Sequence, residues 1–410
     1  MTEVRGERNE FSGEVHGPVV QAGTVGAIHL DSSRDKIEFL SAAGILPRLA
    51  RISADQAAIG LATLEPGKAA DVISMMPEAR RIEIVACMDA ASATAIVNLL
   101  PEETAVPLRL AGRAARSISS DAAGWHDLLG DASGGLSRQG RSRRGTTGFA
   151  IRYERGTVYW SKRTGTGMVA GAVEKRHGEL GGLSGRLGYP IGRETQAATS
   201  RFGTSGTFQR FESTWDYSPK ALEKTDTVCG ATIYASDKGV FSTRGGIGEY
   251  YEAGGGTWGP LGFPLSEERP VPGPEGDTAE RYRQEFEGGA VYWSEATGVV
   301  SVRPPIREIY ERDLLKYGLP LEEQESEESD STTWGQLFES GAIVYEARGR
   351  VAEVLGEIYE HWHAHMDELG LPESSERMLG DGPDLVQFFE DGVVTVVDGV
   401  VRRWLLADGD

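Results

Sequence analysis

The sequence predicts a multidomain α + β protein: a superhelical array of short helices, followed by a propeller or solenoid of small β units. Three observations predict it. A 12-residue repeat runs from Ser53 to Gly112, an aromatic–acidic strand opening recurs five times between Tyr153 and Phe389, and 410 residues are too many for one core.

The composition is globular, 39% hydrophobic and 25% charged, and 54 glycines signal many tight turns. Cys87 and Cys229 lie far apart, which makes no disulfide framework and fits a reducing compartment. The chain does not open on a basic n-region with an apolar h-region, and it contains no run of about 18 apolar residues. The expected address is therefore the cytoplasm, with no membrane span. Residues 231–410 hold 14 Lys and Arg against 36 Asp and Glu, a balance that opposes nucleic-acid binding.

The first element is residues 1–32. Within it, "NEFSGEVHGPVVQAGTVGAIHL" (9–30) is rich in Val and Gly and nearly uncharged. An ordinary strand needs a sheet, yet the next domain reads as all helix, and a lone hairpin of this size is marginal in water. Stacked copies from separate chains would pair every amide and ladder Gln21. "VVQAG" resembles the Val-Gln-x-Gly core of the RIP homotypic interaction motif, and the whole segment resembles the RHIM-like amyloid signalling motif of actinobacterial proteins. That resemblance implies a zipper core of Val19, Val20, Gln21, Ala22 and Gly23, flanked by Asn9, Gly13, Gly17, Gly26 and Ile28. It also implies self-assembly and a STAND/NLR-type receptor carrying a matching motif. The alternatives are a disordered tail or a strand added to a sheet edge.

Residues 33–115 form the helical domain. Blocks of twelve begin at Ser53, Glu65, Pro77, Asp89 and Pro101, most on a residue suited to a helix start. Helices this short must stack, which should bury Ile59, Leu61, Val72, Ile73, Ile84, Val85, Ile96 and Val97, with Leu64, Met76, Met88 and Leu100 closing the blocks. The fifth block, ending "LAG", reads as a fraying terminal unit, and Cys87 reads as buried and inert. The tract resembles the N-terminal helical domain of MgtE-type magnesium transporters in pattern and not in ligands, so the fold is carried over and the metal is not.

Residues 116–148, rich in Ser, Gly, Asp and Arg, read as a linker, with "SRQGRSRRG" (137–145) as its solvated basic part. Residues 149–410 carry the second repeat. Strand openings stand at Tyr153, Phe211, Phe286, Phe338 and Phe389, each followed by Glu and, in four of the five, a Gly one or two places on that predicts a tight hairpin. Short helices follow at "VEKRH" (173–177), "IGEYY" (247–251), "IREIY" (306–310) and "LGEIY" (355–359). Four turns close the pattern: Leu187, Gly188 and Pro190; Leu261, Gly262 and Pro264; Gly318 and Pro320; Leu369, Gly370 and Pro372. The glycines should supply permissive backbone and the prolines should fix φ.

These motifs resemble LGFP repeats, found in actinobacterial proteins and often attached to cell-wall enzymes. The resemblance implies a closed, pseudo-fivefold, propeller-like ring of five units, the last truncated. Alternation along the strands predicts one exposed ring in each of the pairs Tyr159/Trp160 and Tyr292/Trp293, and these four residues are candidate glycan contacts.

Catalytic chemistry is sparse. His361 and His365 in "HWHAH" have metal-ligand spacing but no nameable third ligand, so no metal or cofactor is expected. "RTGTGM" (163–168) lacks the Lys-Ser/Thr of a phosphate loop, and no GxSxG occurs. "LEEQESEESDSTT" (321–333) reads as an acidic surface loop. The expectation is a non-enzymatic cytoplasmic signalling or effector protein, recruited through residues 9–30, with the β repeats as recognition or output module. The alternatives are a polysaccharide-binding module of the cell envelope and, more weakly, a metal-dependent enzyme on the histidine cluster.

Overall fold

A computed structural model describes residues 40–213, 230–273, 278–326, 333–346, 349–380 and 382–406. The zipper core at Val19–Gly23 and Cys229 lie outside the described residues. The chain is a helical region followed by β-sheets, and it divides into two compact parts after Arg193.

The first part opens with helices α1 (Ala42–Leu49), α2 (Ala54–Ala62), α3 (Pro66–Ser74), α4 (Glu78–Cys87), α5 (Ala90–Val97) and α6 (Glu102–Ala123). Ser53, Glu65, Pro77, Asp89 and Pro101, the first residues of the twelve-residue blocks, are the N-caps of α2 to α6. The Asp89 carboxylate accepts from the N–H groups of Ala91 and Ser92, satisfying donors that the first turn leaves open. The period also extends one block further back, to Ser41, which caps α1.

Two details differ from expectation. Ile59 is 68% exposed, while Leu61, Val72, Ile73, Ile84, Val85, Ile96 and Val97 are buried. Ile59 holds the seventh place of its block, where Asp71 and Glu83 stand in the next two, so it lies one step off the buried face. The fifth block does not fray: α6 runs for 22 residues and buries Leu108, Ala111, Ala115, Ile118 and Ala122.

Helix α6 thereby occupies 116–123, where a linker was expected. A short helix α7 (His126–Leu129) follows, and then the antiparallel strands β1 (Ser137–Gln139), β2 (Gly148–Arg152), β3 (Gly156–Ser161) and β4 (Gly165–Ala170). Leu136, Phe149, Val158, Trp160 and Met168 join the helices in one core. The basic stretch 137–145 is β1 and the start of the loop to β2, closed by Ser142 N–H on the Thr146 carbonyl at 2.8 Å. Helix α8 (Gly171–Glu179) and β5 (Pro190–Gln196) complete the repeat.

The second part repeats this plan. Strands β6 (Gly206–Phe211), β7 (Ala231–Ser236) and β8 (Gly239–Arg244) lead into α9 (Gly245–Ala253) and a 3-10 turn, Gly256–Trp258. Three four-stranded antiparallel sheets follow. The first is β9 (Arg269–Pro270), β10 (Arg281–Phe286), β11 (Gly289–Ser294) and β12 (Gly298–Val302), ending in α10 (Ile306–Tyr310) and α11 (Leu314–Tyr317). The second is β13 (Glu325–Ser326), β14 (Thr333–Phe338), β15 (Gly341–Glu346) and β16 (Val351–Leu355), ending in α12 (Gly356–His363) and α13 (Met366–Leu369). The third is β17 (Arg377–Met378), β18 (Leu385–Phe389), β19 (Gly392–Val397) and β20 (Val400–Leu405). Phe211, Phe286, Phe338 and Phe389 are buried as repeat-core residues, and Tyr153 is partly buried.

Candidate functional site

The turn glycines sit at φ +72° (Gly188), +66° (Gly262), +73° (Gly318) and +68° (Gly370), the left-handed region that a side chain resists. Gly318 is also hemmed in, since a Cβ there would fall 2.7 Å from Glu339 Cβ. The aromatic–acidic pair explains the crowding. In three repeats the Phe fills the core while the Glu folds back onto the turn: Glu287 accepts from Phe263 N–H at 2.8 Å, Glu339 from Leu319 N–H at 2.8 Å, and Glu390 from Leu371 N–H at 2.9 Å. A fifth turn of this kind is built by "LGDA", with Gly130 at φ +71° against Glu154 and Ala132 bridged to Tyr153.

The preceding helix reads the same turn. Tyr251 and Tyr310 donate their hydroxyls to the carbonyls of Gly262 and Gly318 at 2.7 Å, and Trp362 Nε1 donates to Gly370 at 2.9 Å. His177 Nε2 donates to Gly188 at 2.9 Å, which fixes its tautomer. The helix frame of the fourth repeat is therefore "IYEHW" (358–362), three residues past the expected "LGEIY". Burial lowers the His177 pKa and pushes the Tyr251 and Tyr310 hydroxyls well above the usual range, so all three stay neutral.

Buried glutamines join one repeat to the next. Gln284 Nε2 donates to the Ser242 and Ser266 carbonyls, Gln336 to Ser301 and Glu322, and Gln387 to Glu353 and Ser374. Alongside them, Glu267 accepts from Ser242 N–H and Oγ at 2.8 and 2.6 Å, and Glu323 accepts from Ser301 N–H and Oγ at 2.9 and 2.6 Å.

Beside the last of these lies a pocket of about 270 Å³ lined by Tyr250, Tyr251, Pro260, Leu261, Ser301, Arg303 and Glu323, together with Gly254 and Gly256. Tyr250 donates to Glu323 at 2.8 Å, and desolvation pushes its hydroxyl up to about 12. The Nε of Arg303 is buried without a hydrogen-bond partner among the described residues. On the neighbouring 3-10 turn Trp258 is 74% exposed, and Phe202, whose loop is tied to that turn by Thr257 Oγ1 on the Ala198 carbonyl, is 49% exposed. Tyr251 and Leu261 belong to the repeated motifs, whereas Arg303, Trp258 and Phe202 lie outside them and no repeat pattern marks them.

Other candidate residues lie elsewhere. Trp160 and Tyr292 are buried in their sheets and Tyr159 and Trp293 are half-buried, so neither pair presents the exposed ring expected of it. The rings of His361 and His365 stack with centroids 4.5 Å apart, and His365 Nδ1 donates to the His361 carbonyl. Among the described residues no group of three or more His, Cys, Asp or Glu is placed to hold a metal ion. Cys87, the last residue of α4, is exposed, contrary to expectation. No described helix is long and apolar enough to cross a membrane.

No curated protein matches the chain. Solved structures similar to it include virginiamycin B lyase from Staphylococcus aureus, at 8% identity over 66% of this chain and 69% of that one with a TM-score of 0.11. The WD40 domain of SCAP from fission yeast is similar at 8% identity over 62% and 53%, with a TM-score of 0.12. At such scores neither carries an argument about fold or activity. The LGFP repeat family model matches residues 138–185 and 261–313, and these two regions of the chain are LGFP repeats.

Proposed function

We propose that the chain is a non-enzymatic cytoplasmic signalling or effector protein: residues 9–30 recruit it by templated assembly onto a STAND/NLR-type receptor, and the LGFP repeats are its recognition or output module. One observation carries the second half. The polar side chains that recur from repeat to repeat, Glu287, Glu339 and Glu390 with Gln284, Gln336 and Gln387, are bound to backbone groups. Recurring chemistry therefore holds the structure, while recognition falls to residues that differ between repeats, such as those around Arg303. Five glycine turns, at 130, 188, 262, 318 and 370, support five repeats closing into a ring. The helical array acts as an MgtE-N-like spacer or arm. Fusing residues 1–32 to a fluorescent reporter in a heterologous cell tests recruitment. Heritable foci that a Gln21→Pro variant abolishes are expected; a diffuse reporter from the unaltered segment defeats the idea.

Exposed Trp258 and Phe202 favour a second reading, in which the repeats grip cell-envelope polysaccharide on an aromatic platform. Retention on purified cell walls, lost in Trp258→Ala, is its expected signature.

A further inference from the structure

Arg303 and Gln324 occupy the places that Arg244 and Glu268 hold one repeat earlier. Each arginine lies two residues after the serine that donates to the latch carboxylate, Ser301 or Ser242, and each partner position directly follows that carboxylate, Glu323 or Glu267. In the earlier repeat the two form a buried ion pair at 3.4 Å, with side chains 7% and 5% exposed. In the later repeat the carboxylate has become an amide and the pair is not made. Arg303 Nε and Gln324 Oε1 are both buried without a hydrogen-bond partner among the described residues. A donor and an acceptor left this way are costly unless something else completes them.

The pocket described above lies beside Arg303. Arg303 lines it together with Glu323, yet no ion pair joins them. Glu323 already accepts two hydrogen bonds from Ser301 and one from Tyr250, which leaves about one of a carboxylate's four acceptor sites open to the pocket. Leu261, Pro260 and the rings of Tyr250 and Tyr251 add apolar lining to the two charged groups. About 270 Å³ is just below the range of drug-sized sites, which is room for one compact molecule.

We propose that this pocket binds a free α-amino acid with an apolar side chain. Its carboxylate pairs with Arg303, its ammonium is accepted by Glu323, and its side chain lies on Leu261, Pro260 and Tyr250. A simple anion would satisfy only the arginine, and an uncharged sugar would leave the guanidinium without its counter-ion. The site goes beyond recruitment through residues 9–30 and stands if that recruitment fails.

Calorimetric titration of the full chain tests it, with the L- and D-forms of leucine, phenylalanine and tyrosine as probes. At least one should bind saturably, and its N-acetyl and methyl ester derivatives should bind about tenfold more weakly or worse. Arg303→Met should abolish binding without lowering the apo melting temperature, since it removes an uncompensated polar group. Gln324→Glu should also abolish binding and raise the melting temperature, because it restores the internal pair seen at Arg244. The proposal is overturned if none of the six probes binds, if acetate or the blocked derivatives bind as tightly as the free amino acid, or if Gln324→Glu binds like the parent chain.

Discussion

The Glu353 N–H donates to Ser375 Oγ at 3.0 Å, the reverse of the pairing one repeat earlier, where Ser301 N–H and Oγ donate to Glu323. Carboxylate and hydroxyl have exchanged places across the same junction. Freed from the latch, the Glu353 carboxylate accepts from Tyr317 at 2.7 Å and pairs with Lys316. Burial acts to raise its pKa, but the bonds from Lys316 and Tyr317 outweigh that and hold it below the usual range.

This exchange predicts coupling. Ser375→Glu sets a second carboxylate against Glu353 and should cost roughly 1–3 kcal/mol in urea unfolding. Adding Glu353→Ser should recover part of that loss, short of the parent chain because Lys316 and Tyr317 lose their acceptor. A double-mutant cycle showing additive losses would remove the latch from the account.

The turns predict a graded glycine series. Gly318→Ala forces a left-handed side chain, costing about 1–2 kcal/mol, and drives its Cβ against Glu339. Gly349→Ala, at φ +85° with open space around it, should pay only the first part. Glu339→Ala strips Leu319 N–H of its acceptor and should cost about 1–3 kcal/mol. Thermal or urea unfolding of the three variants ranks them.

His177 predicts a pH dependence. Its folded pKa lies below the ordinary 6.5, chiefly through burial, so the unfolded chain binds the extra proton first. Stability should therefore fall as pH drops below 6.5 and level off once pH passes the lowered folded value. His177→Tyr installs the residue that Tyr251 and Tyr310 provide and keeps a donor for the Gly188 carbonyl. It should flatten that part of the profile; an unchanged slope assigns it to other groups, such as His361, whose pKa is lowered first by burial and then by His365 and Arg403.

Cys87 is open to reagents yet poor as a nucleophile. Partial desolvation at the end of α4, then the charges of Asp55 and Glu83, push its thiol up although its surface is accessible. Alkylation by iodoacetamide near pH 7.5 should run slower than on free cysteine, and Glu83→Gln should speed it.

The sequence showed the helical starts because capping is local: Ser53, Glu65, Pro77, Asp89 and Pro101 announce themselves by residue type. The buried Phe–Glu pairs were legible for the same reason. The turn at Gly130 was hidden because Asp131 and Ala132 replace the apolar residue and proline that mark the others. The frame of α12 slipped because "LGEIY" matches its neighbours in Gly and Glu, whereas packing selects the pair Ile358 and Trp362, one helical turn apart. Arg303 gave no local signal. It stands out only once Arg244 is seen paired with Glu268, a contact 24 residues long in sequence that no short motif records.

Helix α6 has a practical consequence for anyone dividing this chain. Its first half seals the stack of capped helices, while Ile118 and Ala122 sit inside the same core as Phe149 and Val158. Cutting at residue 115 would leave two fragments, each with a raw hydrophobic wound. No workable boundary falls between the array and the first β repeat, and any twist applied to the one is geared directly into the other.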